Sequence, residues 1–175
     1  MMKNWKMKKP FKGRKVYFSN SITGMPDIDG NFGWELVNFM KENGAEVLSD
    51  FVGARSKEEH IKMFAQKTGF DRYKEKNWWF KVREIDTGLV DEATHLVAVV
   101  NGPSFGVGME LERAILRPER SLPEAKILCL VEKGRLKGLS AMVRGVSSEE
   151  SKDFRLQVYK DIEEAKDKIM TFLKS

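Results

Sequence analysis

Three short segments hold the residues that could do chemistry: Ser19-Asn-Ser-Ile-Thr-Gly24, Gly102-Pro-Ser-Phe-Gly-Val-Gly-Met-Glu110 and Leu139-Ser-Ala-Met-Val-Arg-Gly145. The first two each fall where a predicted strand gives way to a loop or helix. They combine backbone N–H donors, hydroxyls and one carboxylate, Glu110. Such a set suits a phosphate-bearing ligand facing a nucleophile or base. Gly102, Gly106 and Gly108 let the backbone approach a ligand closely, and the helix that follows adds its positive N-terminal end. Glu110 is placed in the first turn of that helix, where the dipole is expected to keep it ionised, although an acid near a helix start is also an ordinary preference. Asp86, on the flank of a second predicted helix, supplies another carboxylate or reads as a plain surface residue. Two carboxylates can run glycoside chemistry: one attacks the anomeric carbon or stabilises its charge, and the other protonates the departing group. Tyr17 lies two residues before the first loop, where its phenol could orient a carboxylate or simply fill core. Ser21, Ser104 and Ser140 offer hydroxyl donors, and Arg144 could pair with a phosphate.

Other chemistries find little support. The Gly-x-Gly at 106–108 lacks the third glycine of a dinucleotide fingerprint and follows the third strand, and there is no Walker lysine. His60, His95 and the single cysteine, Cys129, show no ligand spacing, so neither a metal nor a cofactor is expected. Cys129 lies in an apolar run and reads as a small buried hydrophobe. At 175 residues, 41% hydrophobic and 33% charged, the chain fits one domain. Its net charge of +5 is concentrated at the start: residues 1–15 carry seven basic side chains and no acid, leaving 24 basic against 26 acidic elsewhere. A basic arm over 1–14, before a domain over 15–175, therefore reads as a solvated tail, and nucleic acid is not an expected partner. No run approaches the roughly 18 apolar residues of a membrane span, and the basic start lacks the apolar stretch of a signal peptide. A cytoplasmic protein without a membrane partner is expected.

The elements that must position these residues alternate. Strands are predicted over 15–19, 45–50, 94–100, 126–131 and 156–159, and helices over 32–40, 75–92, 109–116 and 162–173, with a short helix near 58–66 inside a long polar stretch. In the second long helix Trp78, Val82, Ile85 and Leu89 follow 4, 3, 4 spacing and define a buried stripe. Alternation of this kind means βαβ units and a parallel sheet covered on both faces. The fold class is thus α/β, a single-domain Rossmann or flavodoxin-like three-layer sandwich with five parallel strands in the order 2-1-3-4-5. Ligands of such sheets bind outside the carboxyl ends of the strands where the order reverses, here between strands 1 and 3. Local chemistry and topology choose the same place.

In order and content, these segments resemble the 2'-deoxynucleoside 5'-phosphate N-hydrolase family, itself related to the nucleoside 2-deoxyribosyltransferases. Val16-Tyr-Phe-Ser-Asn-Ser-Ile22 looks like the family's opening strand and loop, and Pro103-Ser-Phe-Gly-Val-Gly-Met-Glu-Leu111 like its central motif. Ile127-Leu-Cys-Leu130 and the segment 139–145 look like its closing part. The resemblance implies that Glu110 is the nucleophile, forming a covalent 5-phosphodeoxyribosyl intermediate at C1', and that Asp86 acts as acid toward the leaving base. It implies that Tyr17 sits beside the nucleophile and that Ser21, Ile22, Gly24, Ser104 and Gly106 line the sugar-phosphate pocket. It also implies a homodimer in which Ser140 and Met142 reach the site from the neighbouring subunit.

The expected activity is hydrolysis of a (deoxy)nucleoside 5'-monophosphate to free base and sugar 5-phosphate. The alternatives are a deoxyribosyltransferase and a nucleotide-binding protein without turnover. Two features depart from the family. Thr23 stands where its hydrolases carry arginine, and the stretch 53–80, with Asn77-Trp-Trp-Phe80, is longer than and unlike the family pattern.

Overall fold

The computed structural model describes residues 9–21 and 31–175. Its first strand, β1 (Lys15–Asn20), is followed by α1 (Asn31–Glu42) and a two-residue β2 (Glu46–Val47). Helices α2 (Lys57–Thr68) and α3 (Trp78–Glu92) lead into β3 (His95–Val99), then α4 (Phe105–Ile115) and β4 (Lys126–Glu132). The short α5 (Ala141–Arg144), β5 (Phe154–Tyr159) and α6 (Ile162–Lys174) complete the domain. All strand pairs are parallel, in the order β2-β1-β3-β4-β5. The order reverses between β1 and β3, where Tyr17 pairs with Leu96 and Ser19 with Ala98.

Side-chain alternation along these strands builds two cores. Val16, Phe18, Val97, Val99, Leu128 and Leu130 pack with Leu36 and Met40 of α1 and Ile169 and Phe172 of α6. Tyr17, Leu96, Ala98, Ile127, Cys129 and Val131 pack with Val90 of α3 and Leu111 and Ala114 of α4. Every residue of β3 is buried, as a central parallel strand requires. Burial pushes the Cys129 thiol up to about 12, so it behaves as the small hydrophobe its surroundings suggest. Among the described residues no helix is long and apolar enough to cross a membrane.

Four local differences from the sequence expectation have physical causes. The second strand pairs with β1 over only two residues and then turns into a 3-10 helix over Asp50–Gly53. Ser49 takes over: its hydroxyl accepts from Phe18 N–H at 2.7 Å and donates to Phe18 C=O at 2.8 Å, satisfying both backbone groups that a longer strand would have paired. Ser49→Ala is therefore expected to lower stability by about 1–3 kcal/mol, the cost of leaving buried backbone groups unpaired. A urea midpoint unchanged from the wild type would contradict that role.

The helix expected from 109 begins at Phe105, because the Ser104 hydroxyl caps it by accepting from Val107 N–H at 3.3 Å. Gly106 and Gly108 consequently lie within the helix rather than in a loop. At the chain start, Phe11 is fully buried and meets Phe39 edge-on at 6.0 Å, and the Arg14 Nε donates to Leu173 C=O at 3.1 Å. Residues 9–14 thus belong to the folded body, and only 1–8 of the basic arm lie outside the described residues.

In the long polar stretch α2 is capped by Ser56, which accepts from Glu59 N–H, and ends at Gly69, whose φ of 71° is the left-handed region that favours glycine. The stripe expected on α3 is only half-buried at Trp78, Val82, Ile85 and Leu89, with Val90 alone fully buried. One side of this helix borders an open pocket instead of core.

Candidate active site

Tyr17 and Ser19, two residues apart on β1, point to one face of the sheet, toward α4. Both reach Glu110. The Tyr17 hydroxyl donates to Oε1 at 2.9 Å and the Ser19 hydroxyl to Oε2 at 2.5 Å, so each carboxylate oxygen is held by its own donor. Glu110 sits in the second turn of α4, not the first, so the dipole expected to keep it ionised has largely faded there. Burial instead raises its pKa, and the Ser19 and Tyr17 hydrogen bonds oppose that rise by favouring the anion. Tyr17 itself is pushed well above the usual phenol value, chiefly by burial and then by the Glu110 and Asp86 charges, which fixes it as a proton donor.

Asp86, on α3, has the opposite surroundings. Its Oδ1 is buried and accepts no hydrogen bond from the described residues. Burial, and after it the Glu110 charge, raise its pKa to about 7. With two donors on Glu110 and none on the buried oxygen of Asp86, the glutamate loses its proton first, and its charge helps Asp86 keep its own. The pair therefore divides into an anion and an acid near neutrality, which is the division that displacement at an anomeric carbon requires.

Both carboxylates line one pocket of about 250 Å³ between α3 and α4, with Trp78, Trp79, Val82 and Thr87 on the α3 side and Gly106 and Met109 on the α4 side. A Cβ built on Gly106 would meet nothing nearer than the Ser104 hydroxyl at 3.9 Å, so the space beside this glycine is open. Ser104 caps the same helix, and the first-turn N–H groups beside it form an anion-favouring end.

Ser140 and Met142 stand apart. They line a neighbouring groove of about 1090 Å³ together with Ser104, Phe105 and Met109, separate from the pocket of Glu110 and Asp86, with Met109 and Arg113 as the shared wall. The Ser140 hydroxyl caps α5 by accepting from Met142 N–H at 3.3 Å, and the Met142 side chain is 80% exposed. Within one chain, then, the structure does not bring these two residues to Glu110. Arg144 is exposed and lines neither cavity. Ser21 closes the described part of the first loop; Ile22, Thr23 and Gly24 lie outside the described residues.

Ser19 is the site residue that sequence reasoning passed over. The signal was present: a hydroxyl two residues from Tyr17 in an otherwise apolar central strand must share its face and its neighbour.

Fold and site together define a doubly wound α/β domain with a divided carboxylate pair at its switch point. No family model matches the chain. Among curated proteins, one from Nematostella vectensis, named as a 2'-deoxynucleoside 5'-phosphate N-hydrolase, is 32% identical over 163 residues, 93% of this chain and 95% of its own length. A 5-hydroxymethyl-dUMP N-hydrolase from Tetraodon nigroviridis is 32% identical over 140 residues, 78% of this chain and 83% of its own length. A Thermofilum pendens protein of the first name is 39% identical over 93 residues, covering 53% of this chain and 59% of that protein. Among solved structures, the Clostridium botulinum CMP N-glycosidase BcmB superposes with a TM-score of 0.57 at 15% identity, over 91% of this chain and 99% of its own; at that identity the likeness is one of fold. The chain belongs to the 2'-deoxynucleoside 5'-phosphate N-hydrolase family, and it is an enzyme.

Proposed function

We propose that this enzyme hydrolyses the N-glycosidic bond of (deoxy)nucleoside 5'-monophosphates through a covalent intermediate on Glu110. The observation that carries the reading is the division of the carboxylate pair. The Tyr17 and Ser19 hydroxyls donate to Glu110 and favour its anion, and Asp86 in the same pocket has a pKa of about 7 and, among the described residues, no donor on its buried oxygen. In the first step a Glu110 oxygen attacks C1' as the C1'–N bond breaks. The bonding pair leaves with the base, and Asp86 delivers its proton to that base. In the second, water attacks C1', gives its proton to the Asp86 carboxylate and releases sugar 5-phosphate with Glu110 restored. The Tyr17 and Ser19 hydroxyls hold the carboxylate at a fixed orientation in both steps.

The phosphate is assigned to the N-terminal end of α4, at Ser104 and Gly106, and the same role is given to Ser21, Ile22 and Gly24 of the first loop. The open space beside Gly106 supports this placement and gives a test that separates function from folding. Gly106→Ala puts a better helix former into α4 with no clash among the described residues, so stability is expected to rise by about 0.5–1 kcal/mol. If the sugar phosphate occupies that space, KM for the nucleotide rises all the same. A variant that is more stable and equally active would remove the phosphate from this position.

A homodimer in which Ser140 and Met142 complete the partner's site is part of the same reading. It is supported by the position of these residues, away from Glu110 of their own chain, and by the apolar side chains beside them: Phe105 is 96% exposed and Met142 80%. Large exposed apolar surface of this kind marks an association face. Sedimentation should find a dimer, and Met142→Glu should yield a folded monomer with impaired cleavage; a fully active monomer would refute the shared site. The cytoplasm, where free nucleotides are at hand, is the compartment this reading implies.

The activity test is release of free base from a panel of deoxy- and ribonucleoside monophosphates, with and without an added acceptor base. Release without acceptor, dependent on the 5'-phosphate, is the expected result. Release only with acceptor would make the enzyme a deoxyribosyltransferase, and binding without release would leave a nucleotide-binding protein.

A further inference from the structure

The pocket that holds the two carboxylates has an aromatic wall. Trp78 and Trp79 occupy the first turn of α3, which starts after Asn77 in the left-handed conformation, φ 61°. Their rings lie 6.0 Å apart and are inclined by 73°, so they present two faces nearly at right angles. Arg72 stacks 5.1 Å over the Trp78 ring, whereas Trp79 is 52% exposed. Trp78, Val82 and Asp86 are spaced by four along the same helix and share one face of it. All three line the pocket.

On the hydrolase reading, on which this inference rests, the proton of Asp86 goes to the departing base, so the base must lie against this face of α3. We infer that Trp78 and Trp79 are base-binding residues, the wall on which the base is held by stacking. Stacking on an aromatic face requires no particular hydrogen-bonding edge, so the wall can hold a base without a dedicated polar partner.

Binding can be measured without turnover by calorimetry on Glu110→Gln protein, using a purine deoxynucleoside monophosphate and, as the probe without a base, deoxyribose 5-phosphate. Trp79→Ala in that background should weaken the nucleotide by about five- to hundredfold, the range expected for one lost base stack. It should leave the sugar phosphate within about twofold, and Trp79→Phe should restore most of the loss, as retained stacking requires. Trp79 is half-exposed, so its replacement is not expected to unfold the domain; Trp78→Ala, checked by circular dichroism, provides the second variant. Equal weakening of both ligands, or an unchanged nucleotide affinity in both tryptophan variants, would overturn the inference. So would a loss of dimer in Trp79→Ala with nucleotide affinity intact, which would make the wall a subunit contact. Tryptophan-dependent nucleotide binding in a wild-type protein that releases no base would uphold the base wall and sink the hydrolase reading alone.

Discussion

Replacing Glu110 with glutamine is expected to lower kcat/KM for base release by about 10⁴-fold or more, because the proposed mechanism loses its nucleophile outright. The change is nearly isosteric, and the amide oxygen still accepts from one of the two hydroxyls that hold Glu110, Tyr17 or Ser19. The fold should therefore survive, with nucleotide binding retained. The same geometry grades the neighbouring substitutions. Ser19→Ala removes one donor from the carboxylate and lets burial raise its pKa further, so less of it is anionic at a given pH. The acid limb of the rate profile should move upward in that variant. Tyr17→Phe should do the same, since its hydroxyl serves the other oxygen. A Glu110→Gln enzyme that kept even a hundredth of wild-type activity would be incompatible with a covalent role for this residue.

The second large effect concerns Asp86. In the proposed mechanism it is the acid for the leaving base and works only while protonated, and its pKa is about 7. Activity limited by this group is therefore expected to be full below pH 7 and to fall about tenfold for each further pH unit above it. Asp86→Asn should cost about 10²- to 10⁴-fold at pH 6 and abolish that alkaline limb. It also has a consequence for stability, with a definite sign. The folded protein raises this pKa above the value the group has in the unfolded chain, so it holds the proton more tightly than the unfolded chain does. Stability is then lost as pH rises from the carboxylate range toward 7, where a charge must be buried. Asp86→Asn removes that cost, and its gain in Tm should be larger at pH 8 than at pH 5. Thermal melts at the two pH values together with a pH–rate profile check both statements, and a variant less stable at pH 8 than the wild type would contradict the burial argument.

Architecture was legible because it is written in periodicity. The unbroken apolar run of β3 could only be a strand buried on both faces, and alternation with amphipathic helices left one sheet type and one strand order. Boundaries were less legible where a single side chain decided them. The Ser104 hydroxyl moved the start of α4 back to Phe105, and with it the position of Glu110, so the dipole argument drawn from sequence gave way to burial and two hydroxyls. The brevity of β2 was hidden because Ser49 replaces strand pairing with a side chain, which no alternation pattern records. Glu110, Tyr17 and Asp86 were found as candidates from residue type and placement, and they do converge on one site. Their proposed division of labour came from the family resemblance and was not readable from composition or spacing, since it depends on which carboxylate has donors after folding. The half-buried stripe of α3 is the converse case: its spacing matched a core helix, and its tryptophans face the pocket instead.

Base release from a purine deoxynucleoside monophosphate, followed by chromatography for wild-type and Glu110→Gln protein without any acceptor base, tests the central claim most directly. Free base and deoxyribose 5-phosphate in equal amounts from the wild type, none from the dephosphorylated nucleoside and none from the variant, is the predicted result. Base released at the same rate by Glu110→Gln would contradict it.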